Sequence, residues 1–383
     1  MDLRWTDEHE AFRAEARAWL EANVPAKPLA SMDTASGFEA HRDWERTLHR
    51  DGWSVVSWPT EYGGRGADLF TWLVFEEEYW RARAPGRVNQ NGLFLLGPTL
   101  QEHGTTEQKA RFLPPMAGGD EIWAQGWSEP NAGSDMAAVR TSAVRAGDDW
   151  VITGQKTWCS RAAWADWIFV LVRTDAGSER HRGLSFVLVP LDASGVTVRP
   201  IRQLDGDAGF AEVFFDAARV PVANRLGQEG EGTLAMMRNL EIERLTLAAM
   251  SVGIAGRCVR AMVEYAGQRK SFGVLIREHG QVQRHIAESY AEWRAAASLV
   301  YDVARRFDLT QTDQRVEADA AKLFAAQVGK RAADAAIQVL GGYGYMGEYA
   351  VERLWRDAKL LEIGGGTLEA HHRNITKDLS RRG

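Results

Sequence analysis

Trp167-Ile168-Phe169-Val170-Leu171-Val172-Arg173 is followed, after Asp175-Ala176-Gly177-Ser178, by Leu184-Ser185-Phe186-Val187-Leu188-Val189-Pro190-Leu191. Both are apolar runs of strand length, and the segment between them has turn chemistry. Working outward, Glu121–Trp127, Val139–Val144, Trp150–Trp158, Val196–Arg202 and Glu212–Phe215 read as further strands. Gly147-Asp148-Asp149 and Asp205-Gly206-Asp207 punctuate them. No long helical pattern lies between these strands. An antiparallel barrel or sandwich is therefore expected over residues 119–228, in preference to a parallel sheet.

On either side the pattern is helical. Phe12, Ala16 and Leu20 recur by fours in a helix capped by Thr6 or Asp7 and ending near Asn23-Val24-Pro25. Further helices are expected over Glu39–Asp51 and Leu69–Arg83. Thr105-Thr106-Glu107-Gln108 fits a capping box. After about Gly230 come long helices near Gly232–Ala266, Gln281–Phe307 and Asp313–Leu340, then shorter ones near 348–360 and 367–380. The fold class is α+β: an N-terminal helical domain (1–118), a middle antiparallel β-barrel domain (119–228) and a C-terminal four-helix bundle (229–383).

Composition narrows the function. The 383 residues predict about two to three domains, and a 45% hydrophobic content excludes a disordered chain. With 46 Lys and Arg against 52 Asp and Glu, the net charge of -6 disfavours a general nucleic-acid binder. Uncharged apolar stretches such as 167–172 are too short to span a membrane. The N-terminus lacks the pattern of a signal peptide. Cys159 and Cys258 cannot form a disulfide framework, so a reducing, cytoplasmic location is expected. The histidines show no metal-ligand spacing. Gly342-Tyr343-Gly344-Tyr345-Met346-Gly347 matches a dinucleotide fingerprint, but it follows an Ala-rich helical stretch instead of a strand. A turn between two helices is the better reading.

Five segments point one way together. They are Trp127-Ser128-Glu129-Pro130-Asn131-Ala132-Gly133-Ser134-Asp135, Gly154-Gln155-Lys156-Thr157-Trp158-Cys159-Ser160, Arg269-Lys270-Ser271-Phe272-Gly273, Gln338-Val339-Leu340-Gly341-Gly342-Tyr343-Gly344-Tyr345, and Arg353-Leu354-Trp355-Arg356-Asp357-Ala358-Lys359 with Gly364-Gly365-Gly366-Thr367. Their order and spacing resemble the acyl-CoA dehydrogenase family over nearly the whole chain. The resemblance implies one FAD per subunit, held between the β domain and the bundle. It places Gln125, Gly126, Trp127, Ser128 and Ser134 beside the flavin or the acyl thioester, and Trp158, Cys159 and Ser160 against the flavin ring. Arg269, Ser271, Phe272 and His279 match positions at the phosphates and adenine. Gln338, Gly341 and Gly342 match the segment that a neighbouring subunit offers to FAD, and Thr367 and Glu369 the last contacts. Read singly, each of these residues also fits a cap, a turn or a surface position.

One departure bears on mechanism. Many members of the family carry a catalytic glutamate immediately before the Gly-Thr of the last motif, where this chain has Gly365. Leu240-Glu241-Ile242-Glu243-Arg244-Leu245 resembles the branch containing isovaleryl-CoA and long-chain acyl-CoA dehydrogenases, whose base sits on the first bundle helix. Glu243 is the matching residue. It shares an apolar face with Leu240 and Leu247, where desolvation would raise its pKa toward that of a working base. Pairing with Arg244 or a neighbouring helix is the alternative role, and Glu241 the alternative base. Glu241, Arg244, Ser134, Gly365 and Gly366 are the expected substrate contacts.

The resemblance further implies α-proton removal by Glu243, β-hydride transfer to flavin N5, a trans-2-enoyl product and electron delivery to an electron-transferring flavoprotein. It implies a homotetramer, and branched, bulky or long acyl groups in space left by the missing glutamate at Gly365. Alternatives on the same scaffold are an acyl-carrier-protein dehydrogenase, an oxidase, a desulfinase, or a non-catalytic subunit of a heterotetramer. Two smaller departures are Gly280, where the family often has Gln, and Cys159 in place of an aliphatic residue.

Overall fold

The computed structural model describes residues 5–310 and 314–382. Helices α1 (Asp7–Asn23), α2 (Ala35–Arg50), α3 (Leu69–Arg81), α4 (Gly97–His103) and α5 (Thr106–Gly118) come first. Strands β1 (Trp123–Gly126), β2 (Ser142–Ala146), β3 (Asp149–Ser160), β4 (Trp167–Arg173), β5 (Leu184–Pro190), β6 (Val196–Ile201), β7 (Phe210–Pro221) and β8 (Arg225–Leu226) follow. Then come α6 (Gly232–Ala266), the short strands β9 (Lys270–Ser271) and β10 (Val274–Leu275), and α7 (Gly280–Thr310), α8 (Arg315–Leu340), α9 (Val351–Leu361) and α10 (Leu368–Arg382). The third bundle helix was expected from Asp313, which lies outside the described residues.

The chain forms two compact units that do not follow chain order. One comprises Arg17–Asp68 and Arg81–Asn239. Its eight-stranded sheet runs β6-β7-β3-β2-β4-β5-β8, with β1 attached to β4. The sheet is not wholly antiparallel, because β1 pairs with β4 in parallel from Trp123↔Trp167 to Gly126↔Val170. The apolar run of β4 is explained by burial of every residue from Ile168 to Val172. Strand β7 is longer than the expected Glu212–Phe215, since it pairs with both β3 and β6 and continues to Pro221. Helix α4 and the π-helical turn at Gly92–Leu96 before it were not anticipated; Gly92, Gly97 and Pro98 read as breakers there.

The other unit comprises Met1–Ala16, Leu69–Trp80 and Leu240–Gly383. The Ala-rich stripe of α8 lets helices approach closely; a Cβ on Gly329 would stand 3.1 Å from the Ser251 carbonyl oxygen of α6. Asp308 of α7 accepts from the backbone N–H groups of Leu69 at 2.9 Å and Phe70 at 2.8 Å, so an acid satisfies the free N-terminal donors of α3. Arg13 of α1 binds Glu78 at 2.8 Å and Glu77 at 3.1 Å. The segment Asn239–Ala266 is long and apolar enough to cross a membrane by length and composition alone, a test that core helices also pass. Half of its apolar window is buried inside the protein, as in a core helix.

The expected capping box closes α5. Gln108 N–H donates to the Thr105 hydroxyl at 3.2 Å, and Thr105 N–H to Gln108 Oε1 at 3.1 Å. Thr105→Ala is expected to lower stability by about 1 kcal/mol in chemical denaturation; an unchanged midpoint would contradict a stabilising cap.

Candidate active site

Within the unit containing the bundle, α6 carries Leu240, Glu243 and Leu247 on one face, as the spacing predicts. Glu243 as a residue is half-buried, but its Oε2 is closed off from water and makes no hydrogen bond among the described residues. Burial pushes the Glu243 carboxyl up to about 7, against the pull of Arg244 and Lys322. Arg244 does not close an ion pair on its neighbour. Its Nη1 lies 3.2 Å from Asp319 Oδ1 on α8. Glu241 is buried, and its Oε2 accepts from Gln314 N–H at 3.2 Å, next to the start of α8.

Gly365 and Gly366 have φ of 64° and 109°, conformations that favour glycine. A Cβ on Gly365 would lie 2.1 Å from Leu247 Cδ1. The expectation that a missing glutamate opens space there is thus corrected: Leu247 fills the volume. Lys322 of α8 is fully buried, and its Nζ donates to the Gly366 carbonyl at 2.6 Å. Burial lowers the Lys322 pKa to about 8, opposed by Glu243. Thr367 caps α10, its hydroxyl accepting from Ala370 N–H at 3.3 Å. The Glu369 carboxyl is held low by its own backbone N–H and the Thr367 hydroxyl.

In the unit containing the sheet, β1 and the loop after it run beside β3; Thr157 N–H donates to the Ser128 carbonyl at 2.9 Å. Trp127 is buried against Phe169 and Phe186, so it is a core residue. Trp158 is the opposite. It is 59% exposed, in a left-handed conformation with φ of 59°, a strained backbone that turns a large ring outward. Cys159 points back into the sheet core, where burial raises its thiol to about 12; only its backbone can meet a ligand. Gln125, Gly126, Ser128 and Ser160 lie along the same two segments, and Ser134 is exposed on the loop.

Three models of one family cover the chain: acyl-CoA dehydrogenase N-terminal domain at residues 6–120, middle domain at 124–218 and C-terminal domain at 230–380. The chain belongs to the acyl-CoA dehydrogenase family. It is 39% identical to acyl-CoA dehydrogenase IpdE1 of Mycolicibacterium smegmatis, over 96% of this chain and 96% of that one. Among solved structures, the ChsE4-ChsE5 complex from Mycobacterium tuberculosis has a TM-score of 0.88 at 32% identity, covering 98% of this chain and 97% of that one. A structure named Tcur3481-Tcur3483 steroid ACAD has a TM-score of 0.88 at 30% identity, covering 99% of each.

As an acyl-CoA dehydrogenase, the chain is an oxidoreductase acting on CH–CH bonds, with FAD as its family's cofactor. The residues present fit that group. Arg269 is exposed and makes no ion pair among the described residues, which leaves its charge for a phosphate. Its guanidinium lies 5.9 Å from the Tyr343 ring, which joins the β9–β10 hairpin to the turn at Gly341–Tyr345. Phe272 is 96% exposed in a left-handed conformation, and His279 Nε2 is 3.3 Å from the Ser271 carbonyl, so this histidine is tied to the hairpin. Gly341 and Gly342 have open space where a Cβ would point, and Gln338 is exposed beside them. Gly280 opens α7, again with nothing near a Cβ, and Gln283 is engaged by the Arg277 carbonyl at 3.1 Å.

Sequence reasoning missed the roles of five buried polar residues. Lys156 of β3 is fully buried, and its Nζ reaches Glu129 Oε1 at 2.8 Å and the Trp127 carbonyl at 3.1 Å. Glu129 also accepts from Arg140 N–H at 2.7 Å and Thr141 N–H at 2.8 Å. Burial opposes the Glu129 charge, but Lys156 and these donors outweigh it and hold its pKa below the ordinary value. The pair thereby fixes both ends of the loop after β1. Asp319, Lys322 and His371 were missed as well. Asp319 and Lys322 stand at i and i+3 among alanines, a signal that could have found them. Lys156→Met is expected to cost about 3–5 kcal/mol, since it strands a buried charge. Glu129→Gln with Lys156→Met should recover part of it; a double variant no more stable than the single would contradict the pairing.

Proposed function

We propose that this acyl-CoA dehydrogenase removes the α- and β-hydrogens of a CoA thioester, with Glu243 as the base. The observation that carries the reading is a carboxylate oxygen closed off from water, without a hydrogen bond, on the first long bundle helix. A buried carboxylate lacking a partner is costly unless its proton affinity is used. Glu243 takes the α-proton, and the β-hydrogen leaves with its electron pair, so a trans-2-enoyl thioester forms. Bound FAD supplies the acceptor of that hydride. The Gly365–Gly366 turn offers backbone N–H to the thioester oxygen as charge develops there, and needs no side chain to do so. The cofactor residues are those of the two sets above: Gln125 to Ser134 with Trp158 to Ser160, and Arg269 to His279 with Gln338 to Gly342, Thr367 and Glu369.

The reading extends to the other expectations. Electrons pass to an electron-transferring flavoprotein, the assembly is a homotetramer in the cytoplasm, and the domains are 1–118, 119–228 and 229–383. Exposed Tyr343, Tyr345 and Met346 support a face covered by another chain. Branched, bulky or long acyl groups remain the favoured class. With Leu247 filling the Gly365 side, that preference rests on the base position and on the relative named for steroid. A second reading, in which the chain works with a different partner chain, is favoured by the relative solved as a complex of two named chains.

Glu243 must be ionised to accept a proton, so kcat/KM rises with pH through about 7. Below that value it falls about tenfold per pH unit. Glu243→Gln keeps the shape and removes the basicity. It is expected to slow anaerobic bleaching of the flavin by an acyl-CoA by about 10²–10⁴-fold while retaining the yellow cofactor. Bleaching at the wild-type rate would contradict the assignment. Bulky and long thioesters should bleach faster than butyryl-CoA; the reverse order would contradict the substrate class.

A further inference from the structure

The Asp319 carboxylate on α8 has no exposure and touches two different elements. Its Oδ1 lies 3.2 Å from Arg244 Nη1 on α6 and 2.5 Å from His371 Nδ1 on α10. Arg244 is the residue after Glu243. His371 is fully buried, and a Cβ on Gly366 would lie 3.1 Å from its Cε1 and Nε2. One turn along α8, Lys322 holds the carbonyl of that same Gly366. Lys322 thus bonds the turn directly, while Asp319, three residues earlier on the same helix face, holds the His371 ring that packs against Gly366.

We propose that Asp319 is the positioning residue of this site: by holding Arg244 and His371 at once, it fixes the Gly366 turn and keeps the Arg244 charge away from Glu243. The proposal rests on the reading of Glu243 as the base. Arg244 and Lys322 are balanced by Glu243 and Asp319, a count of two cations and two carboxylates. Two further acids near these elements, among the described residues, have their own engagements. Glu241 of α6 accepts from Gln314 N–H, and Glu362, after α9, pairs with Lys359 at 2.8 Å. Among the described residues, Glu243 Oε2, Arg244 Nε, Asp319 Oδ2 and His371 Nε2 are all buried without a hydrogen bond. If the Asp319 charge is removed, the unbonded Glu243 carboxylate is the acceptor left to Arg244. A carboxylate that keeps Arg244 occupied leaves Glu243 basic; without it, the guanidinium stabilises ionised Glu243 and weakens the base.

The test uses the FAD-loaded enzyme and the pH profile of kcat/KM with whichever acyl-CoA bleaches the wild type. Asp319→Asn keeps an acceptor for His371 and removes the charge. Its acid limb should move down by about one pH unit. Lys322→Met removes a cation facing Glu243, and its limb should move up by about one unit. A purely structural role would lower kcat/KM at every pH and leave both limbs in place, and that result would overturn the proposal. If one variant does not fold, the other still carries its own direction. Failure of the base assignment is seen separately, as undiminished bleaching by Glu243→Gln.

Discussion

A carboxylate with one oxygen shut away from water and, among the described residues, without a hydrogen bond is the constraint around which this part of the bundle is arranged. Desolvation alone would neutralise Glu243 over most of the working pH range. The structure answers with two cations, and it keeps each from becoming a direct partner. Arg244 is turned to Asp319, and Lys322 to the Gly366 carbonyl. Glu243 therefore sits between two failures: an ion pair that would make it too weak a base, and isolation that would keep it protonated. On the proposed reading of Glu243 as the base, a carboxyl near 7 is the compromise that general-base chemistry asks for.

The glycine turn belongs to the same arrangement. Gly365 and Gly366 adopt conformations that would strain other residues, and each is backed by a side chain where a Cβ would stand, Leu247 behind one and His371 behind the other. A turn without side chains has little to lock it in place. Lys322 bonds it from outside and the His371 ring packs behind it, which on the proposed reading lets the backbone present its N–H groups without reorganising. In the sheet unit the buried Lys156–Glu129 pair does the corresponding job for the loop after β1.

Much of this was legible in the sequence. Periodicity located nearly every long helix, because stripes of apolar residues on α1, α6 and α7 survive at the level of the chain. The uninterrupted run in β4 announced its burial. The cap at Thr105 was a local signal, and local signals read well. What failed was non-local. The parallel pairing of β1 with β4 depends on where distant segments meet, and the length of β7 depends on having two partners. In the site, Glu243 and the glycines stood out through the family resemblance, and the apolar helix face of Glu243 agreed with it. Asp319 and Lys322 left a local trace, charges three apart among alanines, but their partners, like those of His371, are set only when α6, α8 and α10 come together. Leu247 could not be foreseen as the filler of Gly365 for the same reason.

The central claim is that Glu243 moves the α-proton, and α-hydrogen exchange tests it without hydride transfer. The enzyme, its flavin reduced beforehand, is incubated with an acyl-CoA in D₂O, and deuterium at the α-carbon is followed by mass spectrometry. The account predicts exchange by the wild-type protein and its loss in Glu243→Gln; exchange at the wild-type rate in the variant would contradict it.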